Sequence, residues 1–307
     1  MNSFISKFID KLYVKQWQIG LCRCDIKEII RSKIFNPDIN WLSLNTMDYF
    51  HADPFMLRAK DGNLEIFVED FKFEDYYGKI ALLTVDNNYS QVNRKIVLDT
   101  KLHLSYPFIF KENDRIYIFP EAGHSGRLAC YEYDPVKQSI TFLQEILGLP
   151  LLDPTIIKYK NKYWMFGTLI GKNADNKLYI FYSKNLLGPY IPHGGNPVKN
   201  SLNGSRPAGN FIVIDNVIYR PSQNCKNQYG ESITINEVKI LDELNFIEEP
   251  YMLIRPTLKN QITKDNDKIL TFHTINVVDD TIVVDGIRWT FSPRNQWKNY
   301  LKNREMS

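Results

Sequence analysis

Four cysteines in 307 residues, Cys22, Cys24, Cys130 and Cys225, form no CxxC pair and no Cys/His set. Neither a zinc site nor a disulfide framework is indicated, and the thiols read as structural. Nothing approaches the roughly 18-residue apolar run that a membrane-spanning helix needs. The opening MNSFISKFIDKLYVKQWQ is broken by Lys7, Asp10, Lys11 and Lys15, and it has no apolar stretch leading to a small-residue cleavage site. No export signal is therefore expected. Net charge is only +3, too small an excess for a chain built around nucleic-acid phosphates. Glycine is sparse at 15 residues, against 18 Tyr and 18 Phe, a balance that excludes disorder and suits a filled core. The expectation is a soluble, cytoplasmic protein with no nucleic-acid partner.

What is present is a repeat. Five segments read alike: ADPFMLRAKDGNLEIFVED from Ala52, SYPFIFKENDRIYIFPEAG from Ser105, LDPTIIKYKNKYWMFGT from Leu152, SRPAGNFIVIDNVIYRPSQ from Ser205 and, more degraded, IRPTLKNQITKDNDKILTFHT from Ile254. Each has an early proline, a short apolar strand, a polar turn and a second strand rich in aromatic and β-branched residues, a hairpin signal. The prolines stand at 54, 107, 154, 207 and 256, with spacings of 53, 47, 53 and 49. Further strand-like runs follow each hairpin (KIALLTV, RLACYEYD, KLYIFYSK, SITINEVKIL). Four strands per unit, repeated radially, predict an all-β, five-bladed propeller. The expected organisation is a single domain over residues 1–307, with the propeller at about 16–292 and hairpins headed near 53, 106, 153, 206 and 255. Closing the ring falls to QWQIGLCRC, expected to pair beside TIVVDGIRWTF, because an open ring would expose sheet edges. Short helices are expected outside it, one with Phe4, Ile5, Phe8, Ile9 and Leu12 on one face and one from Pro293.

Innermost strands line a propeller's channel, so residues heading the hairpins converge on one funnel. In order they are His51 and Asp53, Ser105 and Tyr106, Asp153, Ser205 and Arg206, then Arg255. A second ring follows the second strands: Glu69 and Asp70, Glu121, Thr168, Gln223 and His273. One Asp before a proline is an ordinary turn residue. Asp53 and Asp153 at the same phase of separate repeats, with Arg206 at that phase too, point instead to a site. Glu121 has a competing reading as a solvated turn acid, and His51 and His273 as histidines satisfied by neighbours. KDNDK at 264–268 is the one metal-like acidic triplet and reads as a turn, so neither metal nor cofactor is expected.

The ADPF, YPF and DPT heads resemble the five-bladed propellers of invertases, levansucrases, arabinanases and β-xylosidases. The longer set HADPF…FVEDF, SYPFIF…IFPEA, DPTII…YWMFGT and GSRPAGNF…YRPSQNC…YG is similar to the N-terminal propeller domain of plant glucosamine inositolphosphorylceramide transferases and their bacterial relatives, over roughly residues 40–290. The bacterial relatives imply a role in making surface polysaccharide. The hydrolase resemblance implies Asp53 as base or nucleophile and Asp153 as the carboxylate that sets its partner's ionisation. The third carboxylate does not transfer, because Arg206 stands where those enzymes present a glutamic acid. Arginine is always protonated and cannot donate that proton to a leaving alkoxide.

That departure has a positive reading. A nucleotide diphosphate leaves without protonation if its charge is stabilised, and a guanidinium binds phosphate through a bidentate fork. The expected function is a glycosyltransferase with a nucleotide-sugar donor. Asp53, Asp153 and Glu121 are its candidate catalytic residues. His51, Glu69, Asp70, Tyr106, Arg206, Gln223, Tyr229, Arg255 and His273 are its candidate binding residues. The alternatives are a hydrolase or phosphorylase acting on an oligosaccharide, with Glu121 as acid, and a non-catalytic glycan-binding propeller. Basic residues from Arg288 to Arg304, interleaved with Trp289, Trp297 and Tyr300, raise peripheral contact with the inner, anionic face of a membrane.

Overall fold

The computed structural model describes residues 13–43, 48–264 and 266–291. The two expected terminal helices lie outside those residues. Five antiparallel sheets are arranged as blades around one axis, as the repeat predicts. The chain opens with β1 (Tyr13–Arg23), a short helix α1 (Ile26–Ser32) and β2 (Asn40–Trp41). Blade one is β3 to β6 (Tyr49–Arg58, Leu64–Lys72, Gly78–Val85, Gln91–Leu98). Blade two is β7 to β10 (Ser105–Glu112, Arg115–Glu121, Leu128–Asp134, Ser139–Leu147). Blade three is β11 to β15 (Leu151–Tyr159, Lys162–Leu169, Lys177–Ser183, Ile191–Pro192, Lys199–Asn200). Blade four is β16 to β20 (Asn203–Pro207, Ile212–Ile214, Val217–Asn224, Ser232–Leu241, Phe246–Ile254). Blade five combines β21 (Ile275–Val278) and β22 (Thr281–Phe291) with β1 and β2 from the other end of the chain.

The closure is the one expected. β1 pairs antiparallel with β22 along its whole length, from Tyr13 opposite Phe291 to Arg23 opposite Thr281. Alternate strand residues face alternate neighbours, which is what a period of two requires. In β4, Ile66 and Val68 pack toward Ile19, Leu21 and Val283 of blade five. Phe67 packs the other way, with Phe108 and Phe119 of blade two. Each such fully buried side chain contributes about 1.5–3 kcal/mol. The helix α1, not anticipated from sequence, is capped by Asp25, which accepts from the Lys27 N–H, and it buries Ile29 and Ile30 against the layer between blades four and five.

One expectation is corrected. The fifth hairpin is β21–β22, turning at Asp279–Asp280, and not the Pro256-headed segment. Among the described residues of 255–274, the chain is a connection with the isolated bridges Ile262–Lys268 and Ile269–Arg288. Ile254 still belongs to β20, the outermost strand of blade four, so Pro256 follows a blade instead of heading one.

Candidate functional site

Three blade heads share one backbone device. Asp53, Tyr106 and Asp153 have φ of 52°, 42° and 48°, and each lies in a register slip between the first two strands of its blade. These are β-bulges at residues that precede proline, in a left-handed conformation that L side chains rarely adopt. The bulge aims each N–H at a carboxylate of the preceding blade. The Asp53 N–H donates to Asp285 Oδ2 at 2.9 Å, the Tyr106 N–H to Asp53 Oδ2 at 3.3 Å, and the Asp153 N–H to Glu121 Oε2 at 3.0 Å. Blade four joins through Gly209, whose N–H donates to the Tyr106 hydroxyl at 2.7 Å. A Cβ at Gly209 would lie 2.0 Å from the Ile275 carbonyl oxygen, so only glycine allows blades four and five to approach this closely.

The stitching gathers charged groups in the funnel. Asp53, Glu69, Glu121, Asp153 and Asp285 are all buried, with Arg206 and His273 as the cations among them. Arg206 faces three carboxylates: its Nε lies 2.5 Å from Asp153 Oδ2, Nη1 3.3 Å from Asp175 Oδ1 and Nη2 3.6 Å from Glu121 Oε2. Its guanidinium also sits 5.1 Å from the Tyr229 ring centroid. Gln223 donates to Asp153 Oδ2 at 3.2 Å and to the Pro207 carbonyl at 3.0 Å. The Tyr106 hydroxyl also contacts Thr155 Oγ1 at 2.8 Å.

Asp53 Oδ1 faces His273 Nδ1 at 3.3 Å and has no hydrogen-bond partner among the described residues. Burial raises the Asp53 carboxyl to about 7, against the pull of His273. Glu69 and Asp153 are likewise held well above the usual carboxylate range, first by burial and also by the carboxylates of Asp53 and Glu121, although Arg206 opposes this at Asp153. Burial resists a charge on His273, but Asp285 and Asp53 outweigh it and raise the imidazole to about 9. Asp53, His273 and Asp285 each bring one ligand atom to within 4.8 Å of the others, a group that could hold a metal ion.

The funnel unites Asp53, Glu69, Tyr106, Glu121, Asp153, Arg206, Gln223, Tyr229 and His273. It does not unite the rest. His51 and Asp70 meet each other at 3.0 Å on the opposite face of blade one from Glu69, with Arg94 donating to both Asp70 oxygens. Arg255 is exposed, just past the outermost strand of blade four. His273 heads blade five and does not follow its second strand. The residue that does is Asp285, fully buried, which sequence reading missed together with Asp175. Arg288, expected on a membrane-facing segment, is buried in β22 and donates to Asp267 at 2.5 Å. A cavity of about 520 Å³ between the hairpin turns of blades one and two, lined by Lys60, Glu65, Lys111 and Arg115, contains none of the funnel residues. Among the described residues, no helix is long and apolar enough to cross a membrane.

The family described as glucosamine inositolphosphorylceramide transferase 1, N-terminal, matches residues 34–281. The glucosamine inositolphosphorylceramide transferase 1 of Arabidopsis thaliana is 33% identical over 212 residues, 66% of this chain. That match spans only 28% of the Arabidopsis protein. Among solved structures, a family 117 glycoside hydrolase of Zobellia galactanivorans superposes with a TM-score of 0.55 and 13% identity, covering 92% of both chains. A family 43 β-xylosidase/α-arabinofuranosidase from a compost metagenome gives 0.54 and 14%, covering 81% of this chain and 93% of the other. At these identities the two structures establish a shared fold.

Proposed function

This chain belongs to the family of the glucosamine inositolphosphorylceramide transferase 1 N-terminal region, and we propose that it is a carbohydrate-active enzyme, a glycosyltransferase that moves sugar from a nucleotide donor to a hydroxyl of a growing surface glycan or glycolipid. One observation carries this reading: a buried carboxyl, Asp53, and a permanent cation, Arg206 at the head of blade four, stand in the same funnel. A carboxylate raised to about 7 is matched to taking a proton from a hydroxyl at neutral pH. Arg206 cannot protonate a leaving group, which favours one that departs as an anion. The guanidinium is already balanced by Asp153, Asp175 and Glu121, so a diphosphate competes for it, most readily at Nη2, the arm with the longest contact at 3.6 Å.

Glu69 supports a second reading. Burial and the neighbouring carboxylates hold its proton on, which gives hydrolysis or phosphorolysis a general acid beside Asp53. Glu121, the acid expected from sequence, instead accepts the Asp153 N–H and faces Arg206. Protection against thermal unfolding separates the readings, because a ligand that binds the native state raises the midpoint. A rise with one of a panel of nucleotide sugars is expected. A rise with free oligosaccharides only, accompanied by release of reducing ends, would replace transfer with hydrolysis.

A further inference from the structure

Three carboxylates face the one positive charge of Arg206, and only one of them is substantially exposed. The side chains of Asp153 and Glu121 are 2% and 10% exposed, that of Asp175 41%. We propose that Asp175 is a stand-in anion: it occupies the end of the guanidinium that a phosphate takes, a diphosphate displaces it on entering, and a ligand without that charge does not. The inference deepens the reading of Arg206 as a phosphate ligand and rests on it.

A guanidinium offers a lateral fork, Nε with Nη2, and a terminal one, Nη1 with Nη2. Asp153 closes the lateral fork, 2.5 Å from Nε. The terminal fork is loosely held. Nη1 donates to Asp175 Oδ1 at 3.3 Å, long for such a bond, and Nη2 stands 3.6 Å from Glu121 Oε2, beyond hydrogen-bond reach. Two N–H groups so placed fit two oxygens of one phosphate. Glu121 cannot clear the way, because its Oε2 accepts the Asp153 N–H at 3.0 Å. Asp153 cannot either: Gln223 donates to its Oδ2 at 3.2 Å, and breaking a buried ion pair is costly.

Asp175 is the carboxylate that can leave. Among the described residues it pairs with no cation but Arg206. Its neighbour Asn176 is pinned to the start of blade four, where the Asn176 carbonyl accepts from the Ser201 N–H at 2.7 Å and from the Ser205 hydroxyl at 2.8 Å. The backbone of the β12–β13 connection therefore stays in place, and the carboxylate departs by rotating its own side chain outward. A half-exposed ion pair contributes little net stability, so an entering anion opens it at small cost. A neutral sugar has no charge to exchange for it. The apparent affinity for an anion is lowered by the share of molecules in which Asp175 closes the fork, and removing that carboxylate restores it.

The probe is inorganic pyrophosphate, titrated calorimetrically into wild type, Asp175→Asn and Glu231→Gln, each checked for native circular dichroism. Asp175→Asn keeps the shape of a half-exposed turn residue and removes its charge. Glu231→Gln removes an equal charge from the β18–β19 connection, where Glu231 pairs with Asn227 and not with Arg206. Asp175→Asn should bind pyrophosphate about tenfold more tightly than wild type, and Glu231→Gln should bind it as wild type does. An equal gain in both variants would be an effect of overall charge and overturns the proposal. Unchanged affinity in Asp175→Asn, beside measurable binding by wild type, also overturns it and leaves Arg206 as a phosphate ligand. Binding by neither wild type nor Asp175→Asn overturns the proposal and that reading together.

Discussion

Two histidines hold the same place in their repeats and end in opposite states. His51 opens the head of blade one and His273 that of blade five, and both are buried. His51 meets Asp70, but Arg94 grips both oxygens of that carboxylate at 2.7 Å, so burial prevails and the imidazole is pushed down. His273 meets Asp285 and Asp53, neither gripped by an arginine, and is pushed up. A histidine's charge is thus decided less by having a carboxylate nearby than by what else holds that carboxylate. Blade one spends its Asp–His pair on structure, and blade five keeps a charged pair facing the funnel.

The sharpest way to break this contrast is at Asp53. Asp53→Asn keeps an oxygen for the Tyr106 N–H and should leave the fold intact, while turnover falls about a thousandfold, the scale of a lost general base; near-normal rates would reduce Asp53 to a turn residue. Arg206→Ala should weaken donor binding more than tenfold and also destabilise the fold by about 3–5 kcal/mol, since it strands buried carboxylates. Arg206→Lys separates the two by keeping the charge without the fork, and calorimetric titration with the donor reads both. Arg94→Gln frees Asp70 to act on His51, whose imidazole midpoint, followed by proton NMR, should rise toward that of His273.

The pH profile is the fourth test. Rates should climb through about 7 as Asp53 loses its proton and fall through about 9 as His273 loses its charge. Stability should follow the same groups. Asp53 binds its proton more tightly folded than unfolded, so its contribution declines from about pH 4 to 7. His273 stabilises fully below about 6.5 and loses that contribution through about 9. Flat stability between those limits would contradict both assignments. The smallest effect concerns the membrane. With Arg288 buried in β22, residues 293–307 carry the remaining basic charge, and their removal should abolish low-salt co-sedimentation with anionic vesicles. Binding unchanged by the truncation would place the contact elsewhere.

Four of the five blades were legible because a proline marks each head, and the closing strand because β1 and β22 are both apolar runs left over by the repeats. The fifth failed for a physical reason. Its head, His273-Thr274-Ile275-Asn276, has no proline, whereas Pro256 mimics one at the right distance. With that slip Asp285 fell out of the second ring, although β22 puts it at the phase of Glu69 and Glu121. Reading Glu69 and Asp70 together as funnel residues overlooked the strand's period of two, which sends neighbours to opposite faces. Asp175 sits between strands, where no spacing rule reaches. The ion pairs that occupy Arg206 come from three different segments, and only the folded ring brings them together.

The central claim is that the funnel holds Asp53 as a base poised at neutral pH. The most direct measurement is the carbon-13 titration of its carboxyl in the unliganded wild-type protein. A midpoint near 7 is predicted; a midpoint near 4, the value of an ordinary aspartate, in a natively folded sample would contradict it.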